Sequence, residues 1–266
     1  MMFIIGTAQL CSNYGIMNKS NPDTKNILEY CEKHNITRFD TARCYGESEK
    51  ALKCINKKEV TTKLTHINNN IEQVDKNVME SYENLGVLNL LLHNVNDYYN
   101  KCVWNRLLYF KEQGIIKKLG VSIYKWNEIK NIIYDSHIEI IQIPFNILNA
   151  KEWVELKKIK MYERPELRID VRSIYLQGLL LGDINDWKKI GEEEFYLQKI
   201  APLKITTNKL ISFVKKQKWI DGIIFGIDNV KQLEENYNLY LNSNDDFEIE
   251  IENVDRISDP RQWKIV

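Results

Sequence analysis

Four side chains that could together move a proton lie in the first third of the chain: Asp40, Tyr45, Lys63 and His93. They sit in the separate motifs FDTARCYG (39–46), VTTKL (60–64) and LLLHN (90–94). Asp40, Lys63 and His93 each come where a β-like apolar run ends, and Tyr45 follows Asp40 in the next loop. Reducing a carbonyl by hydride creates an alkoxide, which needs a positioned proton donor and nearby positive charge. A tyrosine fits as donor, although its unperturbed pKa of about 10 is high for work near neutrality. A lysine ammonium beside the phenol would favour phenolate and lower that pKa. Asp40 would hold and balance the ammonium, and His93 would hydrogen-bond and orient the carbonyl oxygen. Singly, each residue has an ordinary explanation: a turn cap at Asp40–Thr41, a half-buried ring, a solvated strand end, a satisfied core histidine. Together, on successive strands, they make a set with one chemistry.

The elements that must position this set alternate along the chain. Short apolar or β-branched runs predict strands at 2–5, 37–40, 59–62, 88–92, 117–121, 139–143, 168–173 and 222–226, as expected of strands buried on both faces. Between them the spacing predicts helices at 23–34, 47–56, 71–85, 103–113, 126–135, 150–159, 206–217 and 230–240. The clearest is 71–85, where Ile71, Val74, Val78, Tyr82 and Leu85 recur at three- and four-residue steps. Asp23 or Pro22 would open the first helix, and Asp228 or Asn229 the last. Eight strands alternating with eight helices predict an α/β fold, a closed (β/α)8 TIM barrel formed by residues 1–266 as a single domain. No GxGxxG follows the first strand, which argues against an open dinucleotide-binding sheet. On this map Asp40, Lys63, His93, Ser122, Gln142, Arg172, Ser173 and Gly226 gather at the carboxyl ends of the strands, the end where such barrels carry their sites.

Composition excludes several classes. Lys+Arg and Asp+Glu are both 37, so the net charge is zero and no basic stripe offers itself to nucleic acid. No apolar stretch approaches the roughly 18 residues of a membrane span, and no signal-peptide pattern opens the chain. The five cysteines, Cys11, Cys31, Cys44, Cys54 and Cys102, show neither a CxxC pair nor metal-ligand spacing. They read as free thiols in a reducing cytoplasm, with no metal expected.

The motifs resemble those of the aldo-keto reductase superfamily along nearly the whole chain. FDTARCYGESEKAL (39–52) is similar to the family's DTA-x-x-YG-x-SE signature. TKL (62–64), LLLHN (90–94), GIIKKLGVS (114–122) and IQIPFNIL (141–148) follow in the family's order, and GIDNVKQLEEN (226–236) resembles its nucleotide-clamping segment. The resemblance implies Tyr45 as general acid/base, Lys63 and Asp40 tuning it, and His93 positioning a small-molecule carbonyl substrate. The cofactor implied is NADPH, with NADH the alternative, lying extended over the barrel mouth without a Rossmann fold. Gly6 and Thr7 match the residues that leave room for the nicotinamide, near Asp40. Ser122 and Gln142 match the pair that binds its carboxamide, although Ile123 stands where the family usually has Asn. Arg172 stands where the family has an aromatic ring on the nicotinamide. Ser173, Gln177 and Gly178 are expected along the pyrophosphate. Gly226, Asp228, Gln232, Glu235 and Asn236 are expected at the adenosine half, where Lys231 is the cation nearby.

The loops after the fourth and seventh strands read as short, as in a short-looped bacterial branch, so the pocket is expected to be open, with Tyr14 and Trp126 either lining it or packing as aromatic core residues. QGLLL (177–181) and DPRQW (259–263) resemble a bacterial branch associated with surface-sugar synthesis, which implies a sugar-derived or other polar carbonyl compound. Two alternatives stand beside the reductase: a sugar epimerase or dehydratase that recycles its cofactor in place, and a non-catalytic, cofactor-binding regulatory subunit. Oligomeric state is not legible in the sequence.

Overall fold

The computed structural model describes residues 1–10, 23–65, 67, 70–243, 246–249 and 251–264. Eight parallel strands close into a barrel in sequence order: β1 Met2–Gly6, β2 Arg38–Asp40, β3 Glu59–Leu64, β4 Leu88–Leu92, β5 Ile116–Ser122, β6 Ile140–Pro144, β7 Arg168–Arg172 and β8 Gly222–Gly226. The seam closes between β1 and β8, with Gly6 opposite Gly226. The barrel is the one the alternating pattern predicts.

Outward-facing strand residues such as Phe39, Val60, Leu90, Val121, Ile141 and Val171 pack against the helices in a continuous apolar cluster. α1 (Thr24–Lys33) buries Ile27, Leu28 and Cys31, and Asp23 caps it by accepting from the Asn26 N–H. α3 (Ile71–Leu85) buries Val74, Val78 and Leu85, as its periodicity predicts, and is capped by Asn70. Asn229, rather than Asp228, caps the helix Val230–Asn242.

Inside the barrel the filling is partly charged. Arg168 is 9% exposed and bridges Glu59 at 2.7 Å and Asp170 at 2.9 Å. Burial pushes the Asp170 carboxyl up to about 6, against the pull of Arg168. Closeness at the β5–β6 pair makes Gly120 obligatory. A Cβ there would lie 2.0 Å from the Ile140 carbonyl oxygen and 2.8 Å from Leu91. Gly120→Ala is therefore expected to destabilise the barrel by about 1–3 kcal/mol or more, since backbone must move. Denaturant unfolding checks this, and a neutral result contradicts the register.

Three sequence expectations need correction. Residues 126–135 form only a 3-10 turn at Trp126–Glu128 followed by turns, not a helix. The expected helix 47–56 is broken into α2 (Ser48–Ala51) and a 3-10 turn at Leu52–Cys54. The segment after β7 is not short. Between Ser173 and Thr206 it forms helical pieces at Leu179–Leu181, Ile184–Lys188, Glu193–Phe195, Tyr196–Ile200 and Ala201–Leu203. It has its own anchor, the fully buried Trp187, packed on Phe195 and Tyr196. Among the described residues no helix is long and apolar enough to cross a membrane.

Candidate active site

Asp40 ends β2 and Lys63 is the fifth residue of β3, so both point into the barrel mouth from neighbouring strands. The Lys63 ammonium is 1% exposed and donates to both Asp40 carboxylate oxygens, at 2.8 and 2.7 Å, and to the Thr41 carbonyl at 2.9 Å. Burial pulls the Lys63 pKa down, and Asp40 pulls it back up. The ammonium lies 5.2 Å from the centre of the Tyr45 ring, and the Tyr45 and His93 rings meet edge to face at 6.4 Å. The four residues singled out by chemistry are thus brought together at one point.

The Tyr45 loop is held by residues the chemical reading passed over. Ser48 Oγ donates to the Tyr45 carbonyl at 2.7 Å and lies 3.0 Å from the Thr7 carbonyl. Glu49, 3% exposed, accepts from Thr62, Ser81 and Arg43. Both lie in the GESEK stretch, so the signal was the continuation of the Tyr45 motif into a buried Ser-Glu pair. Cys44 Sγ lies 3.7 Å from His93 Nδ1.

Burial holds the His93 pKa down at about 4, helped by the positive charges of Lys63 and Arg172. The imidazole is therefore neutral at physiological pH and available to hydrogen-bond a carbonyl oxygen. An unfolded His93 takes its proton near 6.5 and the folded one near 4, so the unfolded chain binds more protons between these values. This residue's contribution to stability is fully present above pH 6.5 and is lost as pH falls toward about 4. NMR titration of His93 is expected to show its midpoint near 4, and a midpoint at or above 6.5 contradicts the environment described.

The residues expected to hold a cofactor form a band over neighbouring strand ends. Ser122 is opposite Gln142 and donates to it at 3.2 Å, while Gln142 Nε2 donates to Asp40 at 2.6 Å. Ser122 and Gln142 are thus already tied into the Asp40 network. Arg172, opposite Pro144, reaches across the β6 end, donates to the Ile123 carbonyl at 3.2 Å and lies 4.2 Å over the Tyr124 ring. Beyond it the chain is strained: Ser173, Leu176 and Gln177 all have positive φ (61°, 50° and 54°), and Gly178 has φ 90°. Such strain in non-glycine residues persists only where surroundings over-determine it, and it clusters at ligand clamps. The side-chain oxygen of Thr7 and Oδ1 of Asp228 are buried without a partner among the described residues. Tyr175 donates to the buried Asn236 at 2.6 Å, tying the two clamping segments together. Gln232 accepts from the Asp228 N–H at 2.7 Å, whereas Glu235 is exposed and faces Lys231. The strained clamp and the orphaned polar atoms of Thr7 and Asp228 fit an extended dinucleotide across β7, β8 and β1.

Beside His93 opens a cleft of about 500 Å³ whose lining includes Asn94, Ser122, Tyr124, Asn127 and Arg261. Trp126 is not among its walls; the ring packs on the apolar cluster. Tyr14 lies outside the described residues.

The model of the Aldo/keto reductase family matches residues 3–257. The chain belongs to the aldo/keto reductase family. Structures of that family share the fold: AKR11C1 from Bacillus halodurans in its holo form is 17% identical, with a TM-score of 0.64 and coverage of 89% of this chain and 85% of that one. The enzyme from Brucella melitensis is 19% identical, with a TM-score of 0.62 and coverage of 90% and 87%. A mutant of Gox0644 solved in complex with NADPH is 19% identical, with a TM-score of 0.62 and coverage of 92% and 85%. Among curated proteins the chain matches the uncharacterized oxidoreductase YqkF of Bacillus subtilis, at 22% identity over 143 residues. That match spans 47% of this chain and 45% of YqkF, so it covers about half the length of that relative.

Proposed function

We propose that this aldo/keto reductase reduces an aldehyde or ketone to an alcohol, with a reduced nicotinamide as hydride donor and Tyr45 as the proton donor. The observation that carries this reading is the buried Lys63–Asp40 pair set 5.2 Å from the Tyr45 ring and facing His93. When bound, the nicotinamide supplies the hydride. Neutral His93 donates a hydrogen bond to the carbonyl oxygen and fixes its direction. The Tyr45 hydroxyl delivers its proton to the oxygen as negative charge develops there. Lys63 stabilises the phenolate left behind, and Asp40 holds the ammonium in place and favours its charged form. Lys63 and Asp40 are themselves buried from water, which strengthens their interaction.

Gly6, Thr7, Ser173, Gln177, Gly178, Gly226, Asp228, Gln232 and Asn236 would hold the dinucleotide, with Ser122, Gln142 and Arg172 at the nicotinamide end. NADPH is the proposed form, supported by the NADPH complex of the relative Gox0644 mutant. The amide-rich cleft beside His93 suits a polar, sugar-derived carbonyl compound.

The test is oxidation of reduced nicotinamide, followed by absorbance, with NADPH and NADH and a panel of simple and sugar-derived aldehydes. Turnover that tracks carbonyl concentration supports the reductase. Tight nucleotide binding with no turnover of any carbonyl overturns it in favour of a binding subunit.

A further inference from the structure

Resting on the reductase reading, we propose that Arg172, Tyr124 and Arg261 form an oxyanion subsite beside His93, so that the substrate is a carbonyl compound carrying a carboxylate or phosphate group. The carboxyl-terminal segment brings Arg261 into the cleft wall, and its guanidinium lies 3.4 Å from the centre of the Tyr124 ring. Arg172, at the end of β7, reaches across the β6 end to within 4.2 Å of the same ring. Two guanidinium groups sharing one aromatic ring repel each other, and each cation needs a counter-charge.

Arg261 has one: Asp259 accepts from its Nε at 2.9 Å and from its Nη2 at 2.7 Å. Its Nη1 makes no hydrogen bond among the described residues. Arg172 has no carboxylate partner among them, and its recorded hydrogen bond goes to a neutral carbonyl, that of Ile123. Glu128, also in the cleft wall, accepts from the Tyr124 N–H at 2.9 Å, and its charge acts on Arg261. The uncompensated charge stands close to the chemistry, because Arg172 depresses the proton affinity of both His93 and Lys63. A planar guanidinium fork is the group best matched to carboxylate or phosphate oxygens. Asn94 and Asn127 add amide donors and acceptors beside it, suited to hydroxyl groups between the anion and the carbonyl.

This arrangement also explains why an aromatic ring is still present at the mouth although β7 ends in arginine. The ring is supplied by Tyr124, two residues beyond β5, and serves to fix the two guanidinium planes rather than to be exposed itself.

The experiment compares matched substrates: succinic semialdehyde against butanal, and glyceraldehyde phosphate against glyceraldehyde. In the wild type, kcat/KM is expected to favour the charged member of at least one pair by about tenfold or more, the scale of a charge-assisted hydrogen bond. The pair showing the larger ratio distinguishes carboxylate from phosphate. In Arg261→Gln and in Arg172→Gln the ratio is expected to fall toward one, with thermal unfolding reporting that both variants are folded. Equal kcat/KM within both pairs in the wild type overturns the subsite. So does an unchanged ratio in both variants. Should no carbonyl be turned over, the reductase reading fails separately, and calorimetric titration of succinic semialdehyde and glyceraldehyde phosphate decides the subsite. Binding that is lost in Arg261→Gln supports it, and absence of binding to the wild type overturns it.

Discussion

Replacing Tyr45 with Phe is expected to lower turnover of any carbonyl substrate by about 10²- to 10⁴-fold, the usual contribution of a positioned general acid. The substitution keeps the ring that meets His93 edge to face and lies against the Lys63 ammonium, so the surrounding geometry should survive. What disappears is the proton that must reach the oxygen as it becomes negative. The loss should therefore fall on kcat and kcat/KM alike, because the missing interaction exists only in the transition state. Affinity for the reduced nucleotide, measured by quenching of protein fluorescence, should stay within a few-fold of the wild type. A variant that keeps full turnover would show that water or another group protonates the product.

The second large effect is on stability. Lys63→Met removes one partner of an ion pair whose members are 1% and 6% exposed. Asp40 would then be left as a buried carboxylate with Gln142 as its remaining side-chain donor. Breaking such a pair costs about 3–5 kcal/mol. For a chain of this size that corresponds to a fall in Tm of roughly 6–20 °C. Removing both charges, with Lys63→Met and Asp40→Leu together, should recover much of the loss, because no uncompensated charge remains. Calorimetric unfolding of the single and double variants checks this. A single variant as stable as the wild type contradicts the buried pairing.

The barrel was legible because its eight strands are short, apolar and buried on both faces, and because polar residues mark their carboxyl ends. The clustering of Asp40, Lys63 and His93 was legible for the same reason: each comes where an apolar run ends, so their positions were fixed once the strands were. The Ser122–Gln142 pair was only half legible. Sequence order placed Ser122 and Gln142 side by side, but nothing in it showed that Gln142 donates to Asp40.

The misreadings come from tertiary partners that sequence periodicity cannot show. Ile129, Ile132 and Ile133 have helical spacing and are buried, yet 129–134 is a run of turns. Part of its hydrogen bonding comes from outside: Arg164 donates to the carbonyl of Ile133 and, just beyond, to those of Asp135 and Ile138. Asp135 accepts from the His137 N–H, a local bond that competes with helix formation. The long segment after β7 read as short because its helical pieces are only a few residues each and carry no period. What organises it is one buried tryptophan, Trp187. Arg261 escaped notice because it acts across the chain, on a ring 137 residues before it.

The most direct measurement is the fate of deuterium placed at C4 of the reduced nicotinamide, followed by mass spectrometry and NMR of the product. Transfer to the former carbonyl carbon, one deuterium per cofactor oxidised, is the expected result, with the rate reduced in Tyr45→Phe. A product of unchanged mass with no net cofactor oxidation would contradict the reductase and establish a reaction that recycles its hydride in place.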